Sequence, residues 1–318
     1  MVCISIGRIV SESSQPDSPL PLGPPPPRVG EGSERRGCPG SRKNPCASAT
    51  NLAECPALTP TNRESRLQRL PRRILAGADE PIFDVLSERV LDNLRRPASE
   101  NALVWNLIYP LASPDLSLSL LLGLRPLWGT PAHGLPDDAL VPYFWGTSIG
   151  GKRLEGLGEA LAEVDGPQHA TEVDLFLVGR ENLVLAEAKH LSRLGRCRRY
   201  ARGRCPEVHR GVSAAPCRYW ESGEARFDRL FDFGPRPSSG ETVPPCSLHY
   251  QMARTLLVGD RLADRLGLRL HVWLTTPRRR WNVLQGPWLD FVDRVKDEGL
   301  WRRLRVLAWE DVRALSGA

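Results

Sequence analysis

Thr171-Glu172-Val173-Asp174-Leu175-Phe176-Leu177-Val178-Gly179-Arg180-Glu181-Asn182-Leu183-Val184-Leu185-Ala186-Glu187-Ala188-Lys189-His190 holds two apolar runs around the turn-rich Gly179-Arg180-Glu181-Asn182. That pattern predicts a β-hairpin with a short loop. Leu175-Phe176-Leu177-Val178 and Leu183-Val184-Leu185-Ala186 are continuously apolar, so both strands are expected in the interior of a sheet. Three charges stand at the ends of these runs: Asp174, Glu187 and Lys189. Side chains alternate across a strand, which sends Leu185, Glu187 and Lys189 to one face. A hairpin centred near Arg180-Glu181 sets Asp174 close to opposite Glu187. Two carboxylates and an ammonium are therefore expected on one patch of a mostly apolar sheet.

Such a patch is costly. Isolated buried charge is disfavoured, and adjacent carboxylates repel unless a cation lies between them. Asp and Glu oxygens completed by water suit Mg²⁺, and a lysine beside that ion can orient and help deprotonate an attacking water. The competing reading makes Glu187 and Lys189 strand-end charges reaching solvent, with Asp174 in an ordinary salt bridge. Glu-x-Lys alone is a common pattern. The aspartate thirteen residues earlier, on the partnering strand, adds the specificity.

Asp174 followed by Glu187-Ala188-Lys189 resembles the PD-(D/E)XK nuclease superfamily, the restriction-endonuclease-like fold, with Val173 where proline is common. The resemblance implies an α/β protein with an αβββαβ core: a helix, a three-strand meander carrying the site, a second helix and a further strand, the mixed central sheet being flanked by helices. It implies a Mg²⁺-dependent (or Mn²⁺-dependent) deoxyribonuclease in which Asp174 and Glu187 hold the metal and Lys189 positions the water. It further implies a helix-borne acid, for which Glu100, Glu155 and Glu159 are candidates, and a glutamine on the helix after the E-x-K strand, matched by Gln251. A homodimer and a setting in restriction, defence or repair follow from the same analogy.

At 318 residues the chain has room for one large domain or two. Residues 1–75 hold 12 of the 29 prolines, including Pro24-Pro25-Pro26-Pro27, and no Trp, Tyr or Phe. A segment so poor in large apolar groups cannot offset its ordering entropy, so a disordered Pro/Ser/Arg-rich tail is expected there, or a start placed too early, since Met252 is the only other methionine. Val2-Cys3-Ile4-Ser5-Ile6-Gly7 is too short for a signal sequence, and no run reaches the length of a membrane span. The expectation is a soluble, cytoplasmic protein. A net charge of +6 and a pI near 9.0 fit a polyanionic partner as well as they fit a merely basic surface.

The remaining chain, 76–318, reads as one α/β domain. Asp79 to Arg95 has helical spacing throughout, and Ser99 caps a second helix from Glu100 to Tyr109, ended by Pro110. Glu100 in that first turn also suits the helix macrodipole. Leu140 to Trp145 is a candidate strand. Arg153 to Val164 reads as a helix, or its end, Ala160 to Val164, as the first strand of the meander. Ser247 to Leu266 is a helix closed by Gly267, Leu268 to Thr276 a strand, Trp288 to Val295 a helix, Arg303 to Trp309 a strand and Asp311 to Leu315 a last helical turn.

Between them lies an insertion, 193–246. Arg193, Arg196, Arg198, Arg199, Arg202 and Arg204 fall within twelve residues around Tyr200, a run that is either a solvated face or a phosphate-binding one with a stacking aromatic. Arg278-Arg279-Arg280-Trp281 forms a second basic cluster. The insertion also carries Cys197, Cys205, Cys217 and Cys246. Four cysteines this close suggest structural Zn²⁺ or an iron–sulfur cluster before a disulfide. Yet no C-x-x-C is present, and free thiols are the plainer reading. The partner expected from all this is DNA, with RNA as the alternative. The rival functions are nucleic-acid binding without turnover on the same fold, and an interaction protein stabilised by a metal in the insertion.

Overall fold

A computed structural model describes residues 74–316 apart from 97, 113–117, 132–138, 168–172, 210, 212–214, 222 and 241. The tail expected over 1–75 lies outside them except for its last two residues. Seven strands build one mixed sheet: β1 (Trp128–Gly129), β2 (Val141–Phe144), β3 (Thr147–Ser148), β4 (Leu175–Val178), β5 (Asn182–Ala188), β6 (Arg269–Thr276) and β7 (Leu304–Ala308). Their order is β1-β7-β6-β5-β4-β2-β3.

β4 and β5 form the expected antiparallel hairpin, with Leu175 opposite Ala186 and Val178 opposite Leu183. Both are interior strands, β4 lying between β2 and β5, and β5 between β4 and β6. β6 runs parallel to β5 and to β7. Alternation along these strands divides the apolar side chains between two cores. Phe176, Leu183, Leu185, Val272 and Leu274 join the helix Tyr250–Leu266 on one face. Leu175, Leu177, Val184, Ala186 and Trp273 join the helix Glu100–Ile108 on the other. Leu183, Val184 and Leu185 are fully buried, each contributing about 1.5–3 kcal/mol of transfer free energy. The result is helix, sheet, helix.

β2 and β3 are joined by a two-residue turn of Trp145 (φ 51°) and Gly146 (φ 78°). Two consecutive positive φ angles match the twist of a tight hairpin, and Trp145 is the only non-glycine with positive φ among the described residues. Its backbone N–H donates to the Asp174 carbonyl at 3.1 Å.

Several elements differ from their expected bounds. Asp79 to Arg95 is two helices, Ile82–Val85 and Glu88–Leu94, because Leu86 turns extended and the Ser87 hydroxyl accepts from the Val90 amide. A hydroxyl that can satisfy an orphan amide starts a new helix there. Arg153 to Val164 resolves into the helix Leu157–Asp165, not a strand. That helix and β3 separate β2 from β4 in sequence, so the three antiparallel neighbours are not consecutive. Ser247 to Leu266 divides at His249 into Pro245–Leu248 and Tyr250–Leu266, and Gly267 ends the second in the left-handed region. The helix expected over Trp288 to Val295 begins earlier, at Trp281, and runs to Val292 with Pro287 inside it. Leu284, Trp288 and Phe291 form its buried stripe, and that burial outweighs the backbone bond proline removes. No helix among the described residues is long and apolar enough to cross a membrane.

Candidate functional site

Asp174 precedes β4 and Glu187 is the penultimate residue of β5, so the hairpin register carries them to the same end of the sheet. Asp174 Oδ2 accepts from the Ala188 amide at 2.9 Å. Its carboxyl is pushed up to about 7, first by burial, then by the charge of Glu187; Lys189 and the Ala188 amide pull the other way, and Glu100 adds to the rise. The site holds more negative charge than its own cations compensate.

Glu187 is 3% exposed and is held by the helix Tyr250–Leu266. Gln251 Nε2 donates to Glu187 Oε2 at 2.9 Å, and Thr255 Oγ1 donates to Oε1 at 2.6 Å. One turn of helix separates these two donors, so a single helical face grips both oxygens. Gln251 also reaches the insertion, its Oε1 accepting from the Gly195 amide at 2.8 Å.

Lys189 is 5% exposed and is fixed through its backbone, its N–H donating to the Thr275 carbonyl at 2.8 Å. Its Nζ stands 3.9 Å from Glu100 Oε2. Glu100 Oε1 accepts from the His190 amide and the Ser192 hydroxyl, both at 2.7 Å. Ser99 begins that helix as expected, accepting from the Ala102 amide, and so delivers Glu100 to the sheet end. Of the three candidate helix acids, Glu100 is at the site; Glu155 and Glu159 are exposed and do not line the cavity there.

The site opens into a cavity of about 1670 Å³ lined by Asp174, Glu187, Lys189, Glu100 and Gln251, and by Arg196, Arg198 and Arg199 of the insertion. Arg202 and Arg204 are exposed and do not line it. The second basic cluster is also elsewhere. Arg278 pairs with Asp311 at 2.8 Å and its amide bonds Glu310, Arg280 donates to the Leu191 carbonyl at 3.0 Å, and none of Arg278, Arg279 and Arg280 lines the cavity. An arginine run read from sequence carries no sign of such distant acids.

Two features beside this cavity escape a reading by motif. Thr255 is one. The other is a buried polar network in which Arg254 Nε donates to both oxygens of Asp165 at 3.0 Å, while the Tyr219 hydroxyl meets Asp165 at 2.8 Å and Tyr250 at 2.7 Å. Burial, then the neighbouring Tyr250 and Asp165, push the Tyr219 phenol far up, so it stays protonated. The available signal was Arg254 and Thr255 sharing a helical face with Gln251. Among the described residues no group of three or more His, Cys, Asp and Glu side chains stands ready to hold a metal ion.

Compared with protein-family models, curated proteins and solved structures, the chain matches none of them.

Proposed function

We propose that this chain is a metal-dependent nuclease of the PD-(D/E)XK kind that hydrolyses DNA phosphodiester bonds. The observation that carries the reading is Asp174, raised to about 7 beside Glu187 at one end of adjacent strands, with Lys189 and Glu100 against them. The order of elements supports it. A helix (Glu100–Ile108) comes before the antiparallel strands β2, β4 and β5, and a second helix (Tyr250–Leu266) with a parallel strand, β6, follows them, although β3 and the helix Leu157–Asp165 interrupt the meander between β2 and β4.

Asp174 and Glu187 offer hard carboxylate oxygens, the donor type that suits Mg²⁺ or Mn²⁺, and their excess negative charge fits a divalent cation. Such an ion, when bound, supplies Lewis acidity and charge at the phosphorus. The chain's own groups do the rest. Gln251 and Thr255 hold Glu187 in one rotamer. Lys189, anchored through Thr275, orients the attacking water and opposes the charge that develops on the phosphate. Arg196, Arg198 and Arg199 hold the nucleic-acid backbone without reading its sequence.

The test is incubation of supercoiled and linear DNA with the purified chain in Mg²⁺, Mn²⁺ or EDTA. Cleavage in either metal is expected, none in EDTA, and none by Lys189→Ala or Asp174→Ala although both remain folded. Equal cleavage by either variant would sink the mechanism. A second reading, binding without turnover, is favoured by one feature: both oxygens of Glu187 already have protein donors. Metal-independent retardation of DNA or RNA on a gel, without cleavage, selects that reading.

A further inference from the structure

The insertion between β5 and the Tyr250–Leu266 helix poses a physical problem independent of the nuclease reading. Among the described residues from 190 to 219, the only buried side chain is Cys205. The regular structure there is limited to the short helices Arg198–Ala201 and Arg218–Glu221. Hydrophobic burial holds this stretch only through Cys205 and the partly buried Leu194, Cys217 and Tyr219, and segments with so little core are commonly fixed further by a disulfide or a metal.

The cysteines supply the means. Cys197, Cys205, Cys217 and Cys246 are all free thiols and all line the same cavity. Each is close enough to the other three for their charges to interact. Backbone bonds knit their loops together. The Cys197 amide donates to the Ser247 carbonyl at 2.9 Å, next to Cys246, and the Cys217 amide donates to Glu207 Oε1 at 2.6 Å, two residues after Cys205. The Cys205 amide donates to His209 Nδ1 at 3.1 Å. Four thiolates gathered on one wall would repel one another, and a cation among them removes that difficulty.

We propose that Cys197, Cys205, Cys217 and Cys246 form a structural four-thiolate zinc site that fastens the arginine-bearing segment to the cavity wall. Four soft thiolates in tetrahedral array are a closed zinc site, with no open position for chemistry. Among the described residues these thiols do not stand at ligand spacing, so zinc uptake has to draw Cys197, Cys205, Cys217 and Cys246 together. The surplus charge of four thiolates on Zn²⁺ is offset by the local arginines, of which Arg199 already favours the Cys197 thiolate. Gly195 passes the constraint onward, since its backbone bonds Gln251 in both directions.

The experiment is elemental analysis of the full-length protein, with thiol titration before and after zinc is stripped. About one zinc per chain is expected, with four of the eight cysteines unreactive until the metal is removed. Replacing Cys3, Cys38, Cys46 and Cys55 together by serine should leave the zinc in place, whereas Cys217→Ser with Cys246→Ser should lose it. If that pair does not fold, Co²⁺ loading of the unaltered protein counts the thiolates through its charge-transfer absorption, and four are expected. Metal-free protein with eight reactive thiols, disulfides by mass, zinc that leaves with the N-terminal cysteines, or iron with acid-labile sulfide would each overturn the assignment.

Discussion

Asp174→Asn separates a functional carboxylate from a structural one. Burial and the charge of Glu187 push the Asp174 carboxyl up to about 7, against 3.8 for an unperturbed aspartate. Its folded pKa is raised, so between about pH 4 and pH 7 the folded chain retains a proton that the unfolded chain has released. Stability must therefore fall as pH rises through that window and level off above it. A rise of this size sets a ceiling of about 4 kcal/mol, at about 1.36 kcal/mol per pH unit. Asp174 is only half-buried, and solvent screening brings the expected effect to about 1–2 kcal/mol. Asparagine keeps an oxygen for the Ala188 amide and removes the charge. In EDTA at pH 8, Asp174→Asn should accordingly be more stable than the unaltered protein by about 1–2 kcal/mol, and at pH 4.5 the two should match. Adding Mg²⁺ at pH 8 should stabilise the unaltered protein and leave the variant unmoved. Urea titrations followed by tryptophan fluorescence read all four conditions. A variant that is less stable at pH 8, or that differs equally at both pH values, would refute the account of the carboxylate pair.

Two further substitutions test the packing around the site. Arg254→Met leaves Asp165 as an unpaired buried carboxylate and should cost about 3–5 kcal/mol in urea denaturation, most of it recovered when Asp165→Leu is added; no recovery would mean that the arginine acts through packing alone. Gly259→Ala would bring a methyl within 2.7 Å of Leu270 Cδ1 and 3.0 Å of Leu185 Cδ2. That crowding should exceed the roughly 1 kcal/mol gain in helix propensity, so a loss is expected, relieved by Leu270→Val.

What was legible in the sequence followed from short-range rules. Two apolar runs around Gly179-Arg180-Glu181-Asn182 could hardly be other than a hairpin, and an alternating strand must place Glu187 and Leu185 on one face. Ser99 before Glu100 is a local cap and was equally readable. The failures were of two kinds. Ser87 and Pro287 each carry a local signal that points one way, and which signal prevails depends on burial elsewhere: Ser87 did break its helix, while Pro287 did not. The other failures concern partners remote in sequence. Asp165 meets Arg254 across 89 residues, Arg278 meets Asp311 across 33, and no period or spacing announces either pair.

The thirteen residues between Asp174 and Glu187 then acquire a geometric meaning. A charge at the start of one antiparallel strand and a charge at the end of the next must share an end of the sheet, and the chain between them is the hairpin itself. β6 runs parallel to β5 and brings Thr275 to the same end, where it fixes Lys189 through its carbonyl. Clefts at the carboxyl ends of parallel strands are where open α/β sheets bind ligands. Here the antiparallel β4 adds an acid from its amino end to that cleft. The apolar interior of the sheet excludes these charges from every other position. The helix Tyr250–Leu266, which packs against Leu185 at Gly259, has its first turns, with Gln251 and Thr255, left to reach them. The strand register thus places the acids and the packing of one helix orients them. A substitution that slips β4 against β5 by one residue would turn Asp174 to the opposite face, and should abolish any divalent-cation stabilisation even if the sheet survived.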